Sequence, residues 1–221
     1  GLGYLFAKRA PKNLGNRVLL QMATGEHLRL LDVTEKHHET YAARHGMRYF
    51  SLRENPLPHL PASWGKLRAI LDQFDHGADV VVWMDADAVV SDMGQDITEA
   101  SGSGIGMAWY ERPFKHYQAG VFIPHRSDEV RALLRDVLET AETNPNNFPG
   151  GKYGVWEQSP LNELGMQRGL ITPIDVKWNF VPTYAECKAP VVMAAHGYAF
   201  DERLLMMKTF AKSIPSLKNE R

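Results

Sequence analysis

One cysteine, Cys187, is all the chain of 221 residues contains. It excludes an intrachain disulfide and any zinc knuckle, and fits a reducing compartment. No apolar run approaches the roughly 18 residues of a membrane-spanning helix, and no signal peptide is visible. Because the chain begins at Gly1 rather than Met, a leader or anchor removed upstream stays possible. Charge of one sign is missing too: the formal net charge is -1, which gives no field to gather nucleic acid or an anionic membrane. No Gly-Lys-Ser/Thr follows the glycines of Gly102 to Tyr110, so they make no phosphate loop and read as a flexible connection, the stretch then becoming strand-like. No internal repeat appears. These absences leave a protein of ordinary composition, 44% hydrophobic and 23% charged, long enough for one large domain with a substantial core.

What is present centres on Asp79 to Asp87, DVVVWMDAD. Val80 to Met84 are apolar without alternation, as in a central strand covered on both faces. The run ends in two carboxylates, Asp85 and Asp87, which a strand's period of two would turn the same way. Two hard anionic oxygens at a strand's C-terminal edge suit a divalent cation that also holds phosphate oxygens. A solvated turn is the plain alternative.

Around that stretch the order of elements is α/β. Gly1 to Asn16 reads as an arm, Arg17 to Ala23 as a first strand, Leu28 to His45 as an amphipathic helix and Met47 to Leu52 as a second strand. That order implies a βαβ unit with a parallel pair. Pro56, Pro58 and Pro61 mark a loop before a helix over Trp64 to Phe74. Later come a short helix entered from Ser91 to Ile97, a strand over Gly120 to Pro124, and a helix over Ser127 to Thr140. Thr143 to Tyr153 is rich in Asn, Pro and Gly and reads as a mobile loop, a lid or acceptor-site wall. A helix over Trp156 to Gly165 and strands over Ile171 to Val181 and Val191 to Ala195 follow. The domain is expected to span residues 17–207, with a basic tail over 208–221 that frays. His37 and His38 have no convincing metal spacing and are expected on a helix surface.

In this order, Tyr41 to Gly46 (YAARHG), Lys66 within Ser63 to Leu67, Val82 to Ala88 (VWMDADA), Gly120 to Ile123, Glu157-Gln158-Ser159 and His196-Gly197 resemble the galactosyl/mannosyl/xylosyltransferase family. Fungal Golgi α-galactosyl- and mannosyltransferases and plant xyloglucan xylosyltransferases belong to it. The resemblance spans roughly Arg17 to Gly197. It implies a GT-A fold, a single α/β domain with a mainly parallel sheet, and transfer of a hexose or pentose from a nucleotide sugar with retention at the anomeric carbon. It also implies Asp85 near the ribose and metal, Asp87 ligating the metal directly, and His196 as third protein ligand. An imidazole beside carboxylates favours Mn²⁺ over Mg²⁺.

Glu157 and Gln158 stand where the family has an acidic-amide pair on the β face of the donor sugar. The family usually has Asp-Asp-Gln there, so the division of roles between them is open, and an exposed helix start is the plain alternative. Gln118-Ala119-Gly120 replaces a frequent Asn-Thr-Gly. Thr24, Lys66, Gln118 and Asn179 are further candidates for donor binding. Lys66 is expected to neutralise diphosphate or contact the sugar, or else to be a solvated helical lysine. Trp178 is pocket lining or core. Arg203 and Lys208 are nearby cations that could meet phosphate.

The partners implied are a UDP- or GDP-sugar and an acceptor hydroxyl on a glycan or a hydroxylated DNA base, with a cytoplasmic location unless an anchor was removed. Two other classes remain: a nucleotidyltransferase that makes a nucleotide sugar, for which Met22 to Gly25 is a poor phosphate loop, and a non-catalytic nucleotide-sugar binding module.

Overall fold

The computed structural model describes residues 15–143 and 156–211. Six strands form one sheet in the order β2-β1-β3-β6-β5-β7. They are β1 (Arg17–Met22), β2 (Arg48–Leu52), β3 (Val80–Met84), β5 (Ile105–Tyr110), β6 (His116–Pro124) and β7 (Ile171–Ile174). A two-stranded ribbon pairs β4 (Ala88–Val90) with β8 (Val192–Ala194). The α-helices are α1 (Leu28–Arg44), α2 (Ala62–Asp75), α3 (Asp128–Thr143), α4 (Gln158–Gln167) and α5 (Phe200–Ala211). β1 runs parallel to both β2 and β3, and β5 parallel to β7. β6 is antiparallel to β3 and β5, so it alone runs against the other five strands.

The pleat sorts the core into two layers. Val18, Leu20, Val81, Trp83 and Phe122 pack on one face with Leu67, Ile70 and Phe74 of α2, Leu133 and Val137 of α3, and Leu161 of α4. Leu19, Val80, Val82, Met84 and Val121 pack on the other with Tyr41 of α1 and with the β4–β8 ribbon. β3 is buried along its whole length, which is why its sequence shows no alternation. A third cluster joins Leu30 and Leu31 of α1 to Val89, Ala195, and Leu204 and Met207 of α5. Gly46, at φ 68°, supplies the left-handed turn that carries the chain from α1 towards β2.

Several expectations change. β3 stops at Met84, and the Ala88 N–H closes a turn on the Asp85 carbonyl (2.9 Å), so Asp85 and Asp87 are not related by strand period. The strand expected from Gly120 begins at His116, since Ala108–Tyr110 of β5 pair with His116–Gln118. Of the long strand expected through Val181, only Ile171–Ile174 is strand; Val176–Trp178 is a 3-10 turn capped by the Asp175 side chain. α5 runs through Ala211, past the point where the tail was expected to begin.

His37 and His38 are buried, not surface residues. The His38 Nδ1–H donates to Gln21 Oε1 (2.7 Å) and its Nε2 accepts the Val90 N–H (3.2 Å), while His37 Nε2 contacts the Val90 carbonyl oxygen (2.7 Å). Together they tie α1 to β1 and β4. Most of the expected Thr143–Tyr153 loop, like residues 1–14 and 212–221, lies outside the described residues.

Candidate active site

The site gathers where β3 ends. Asp85 follows Val81 and Trp83 on the face covered by α2 and α4, and its carboxylate is gripped from that side. The Trp83 Nε1–H donates to Asp85 Oδ1 (2.7 Å), as a neighbour two positions back on one face can. Lys66 of α2 reaches the same oxygen at 3.1 Å, donates to the Ala119 carbonyl at 3.1 Å and meets Glu157 Oε1 at 2.7 Å. Lys66 is only 3% exposed, so it is not a solvated helical lysine. Burial works against its charge, but Asp85 and Glu157 outweigh burial and hold its pKa above the ordinary lysine value.

Glu157, the residue before α4, is 3% exposed and not part of an exposed helix start. Burial pushes its carboxyl upward while Lys66 pulls it down. Its Oε2 has no well-formed hydrogen bond, although the Ser63 hydroxyl is close enough to the carboxyl to lower its pKa. Gln158, half-buried, opens α4 and accepts the Ala119 N–H on Oε1 (2.9 Å). The start of α4 thus brings Gln158 to β6 and Glu157 to Lys66, the lysine that also holds Asp85.

Gln118 and Asn179 form the next layer. Asn179 Nδ2 donates to Gln118 Oε1 (3.0 Å), which also accepts the Gly120 N–H. Gly120 in turn accepts the Asp85 N–H at its carbonyl (2.7 Å). Asn179 is fully buried and its Oδ1 has no hydrogen-bond partner. Trp178 is core, 7% exposed. Thr24 lies at the C-terminal end of β1, where its carbonyl accepts the His27 N–H in a 3-10 turn (3.2 Å). None of its hydrogen bonds joins it to the carboxylates.

Asp87 belongs to the turn and faces a different partner. Arg203 of α5 approaches its Oδ2 at 3.1 Å, and the Asp87 side chain is 12% exposed. Burial, and then the charge of Asp85, raise its pKa above the usual carboxylate range; Arg203 and His196 oppose this. The Asp87 carbonyl accepts the Ala195 N–H (2.8 Å), which sets the exposed His196 beside it. Arg203 and α5 were the parts of the site least legible in the sequence. Only the positive charge seven residues after His196 signalled them.

Among the described residues, no three His, Cys, Asp or Glu side chains surround one common point. The chemistry of the pair still fits a cation. Its hydrogen bonds and ion pairs use Asp85 Oδ1 and Asp87 Oδ2, leaving the other oxygen of each carboxylate, and two repelling, partly buried acids favour a shared positive charge. His196 stands on the rim, next to Ala195, whose N–H bonds the Asp87 carbonyl.

No protein family's sequence pattern matches the chain, and no characterised relative is found by sequence. Solved structures do match. A glycosyltransferase involved in glycosylation of the major capsid of PBCV-1 superposes with a TM-score of 0.72 at 17% identity, covering 88% of this chain and 99% of that one. Galactosyltransferase LgtC, solved with donor and acceptor sugar analogs, gives 0.60 at 14% identity over 90% and 98%. The apo form of glycosyltransferase GlyE from Streptococcus pneumoniae TIGR4 gives 0.58 at 12% identity over 87% and 60%. The chain has the GT-A fold. Within that GT-A domain, the Asp85–Asp87 turn lies at the carboxyl edge of the sheet, beside β1, where the chain's crossovers diverge to β2 on one side and β3 on the other. That crevice is where open α/β sheets hold ligands.

Proposed function

We propose that the protein is a retaining, metal-dependent glycosyltransferase that moves a hexose or pentose from a UDP- or GDP-sugar to a hydroxyl of a glycan acceptor. One observation carries this reading: at the carboxyl edge of a GT-A sheet Asp85 meets Lys66, which also holds Glu157 beside Gln158, and Asp87 follows in the same turn with Arg203 as its partner. The solved structures named above are glycosyltransferases, and the active site of LgtC contains a glutamine that was changed to glutamate in one solved structure. The specific family resemblance of the sequence stands as part of the same proposal.

Mn²⁺ or Mg²⁺ held by Asp85 and Asp87, with His196 as a further ligand, would supply a Lewis acid that neutralises the diphosphate leaving group. The remaining chemistry belongs to side chains. Lys66 holds Asp85 in one rotamer and keeps positive charge next to the developing phosphate charge. Arg203 restrains Asp87 and offers a guanidinium to phosphate oxygens when the pair opens. Gln158, fixed by the Ala119 N–H, is the more accessible member of its pair and serves the sugar's β face, where it stabilises the oxocarbenium-like state. Glu157, locked on Lys66, sets the charge balance beneath it. Thr24, Gln118 and Asn179 line or support the donor pocket, Asn179 with an acceptor oxygen still to be satisfied.

The test is a nucleotide-sugar panel read by thermal shift and slow hydrolysis, with Mn²⁺, Mg²⁺ or chelator, on the wild type and Asp87→Ala. Stabilisation and hydrolysis by one donor, dependent on metal and lost in the variant, are expected. Stabilisation by a nucleotide sugar without hydrolysis under any metal condition would return the site to a binding module, and silence towards every nucleotide sugar would sink the reading and leave the carboxylate pair as a turn.

A further inference from the structure

Aromatic rings continue from the carboxylate turn in one connected series, which surfaces at Tyr184 and Phe114 and passes between them through the buried His116. The His196 ring lies 5.7 Å from Tyr184, Tyr184 lies 6.0 Å from His116, and His116 lies 4.5 Å from Phe114. Beneath them, Tyr110 contacts both Tyr184 (5.5 Å) and His116 (6.0 Å). The layers differ in exposure. Tyr110 and His116 are buried, Tyr184 is half-buried, and Phe114 is 41% exposed, unusual for a phenylalanine. His116 Nδ1 meets the Phe114 carbonyl at 2.7 Å, which anchors the ring's backbone at the start of β6.

Sheet topology places this series. β6 is antiparallel to β3, with Met84 opposite Val121, so His116 overhangs the carboxyl end of β3 by several residues. β5 ends at Tyr110 on the same edge. The rings therefore occupy the β6/β5 flank of the carboxylates, while the crevice at the switch point lies on the β1/β2 flank. A donor nucleotide in that crevice leaves the ring series to a second ligand.

We propose that Phe114 and Tyr184 form the acceptor subsite and stack on the apolar face of a pyranose ring. This rests on the transferase reading above. A pyranose presents polarised C–H groups on one face and hydroxyls around its edge. Aromatic faces bury the first, their negative quadrupole meeting the C–H groups. The second need polar neighbours, and Glu111 and Lys115, an exposed pair 3.6 Å apart, flank Phe114, while His196 closes the far end. A nucleobase acceptor would also stack, but the neutral overall charge provides no attraction for a nucleic-acid backbone.

The experiment is saturation-transfer NMR on the full chain with methyl glycosides of galactose, glucose, mannose and xylose, beside titrations of UDP and GDP. At least one glycoside is expected to show contacts on its ring C–H groups. Those contacts weaken about fivefold or more in Phe114→Ala and Tyr184→Ala and return in Phe114→Trp, whereas nucleotide affinity stays within about twofold. No glycoside contact, or contact indifferent to these substitutions, overturns the subsite. So does a matching fall in UDP or GDP affinity, which would put the base on these rings, or loss of glycoside contact once a nucleotide sugar is bound. If the wild type hydrolyses no nucleotide sugar yet binds a glycoside through these rings, the transferase reading fails and the pyranose subsite stands.

Discussion

Lys66 Nζ lies 2.7 Å from Glu157 Oε1, and the two side chains are each 4% exposed. A buried ion pair of this kind is costly to break from one side, because the surviving charge is left without a partner. Lys66 also has a second anionic partner, Asp85, so its loss leaves two acids facing each other. Lys66→Ala is expected to lower unfolding stability by about 3–5 kcal/mol in urea titration, and donor hydrolysis by about a hundredfold. The double variant Lys66→Met/Glu157→Leu should regain most of the stability and none of the activity. Equal loss of stability in single and double variants would show that an unpartnered buried charge is not what destabilises Lys66→Ala.

Gly120 is a steric requirement of the site. A Cβ there would stand 2.8 Å from Gln118 Oε1 and 3.4 Å from Asp85 Oδ2. Gln118 cannot swing away cheaply, since Asn179 and the Gly120 N–H both bond its Oε1. Gly120→Ala should therefore cost about 1–3 kcal/mol and disrupt the position of Asp85. Calorimetry reads the first effect. The second appears as lost nucleotide-dependent stabilisation in a variant that still melts cooperatively, and unimpaired nucleotide binding would sink the argument.

These residues also show what a sequence discloses. The β3 stretch is legible because a strand buried on both faces needs an unbroken apolar run, and its end is marked by charge. The Glu157-Gln158 pair is legible as chemistry but not as burial, since periodicity says nothing of a helix start packed under a sheet edge. Lys66 is ambiguous for the same reason: one lysine on an amphipathic helix looks solvated until its partners, 19 and 91 positions away, are in place. His37 and His38 look solvated in the sequence because their partners, Gln21 and Val90, come from two other elements. Of the β4–β8 ribbon, β8 lies within the strand expected over Val191 to Ala195, whereas β4 is three residues long, too few for alternation to register, and its partner lies about a hundred residues away.

Arg203 competes with any cation for Asp87, since its guanidinium already lies 3.1 Å from Oδ2. Arg203→Gln should thus bind free Mn²⁺ about two- to fivefold more tightly without nucleotide, the scale of a partly exposed ion pair. Electron paramagnetic resonance of unbound Mn²⁺ gives the affinity directly. Unchanged or weaker Mn²⁺ binding would mean that Asp87 is not where the cation goes.

His38 gives the fold a dependence on pH separate from the site. Burial, with a smaller contribution from His37, pushes its pKa down to about 3, against about 6.5 for an unfolded chain. The folded state therefore keeps the ring neutral while the unfolded state takes up a proton below about pH 6.5. Stability supplied by the neutral ring is complete above that value and drains as pH falls towards 3, at up to about 1.4 kcal/mol per pH unit. Urea midpoints at successive pH values between about 7 and 4.5 should show this slope in the wild type. In His38→Gln the amide can still bond Gln21 and Val90 but cannot titrate, so the slope should fall by about one proton's worth even if the variant starts lower. Identical slopes in the two proteins would show that His38 is already neutral in the unfolded ensemble, or that another group takes up the proton.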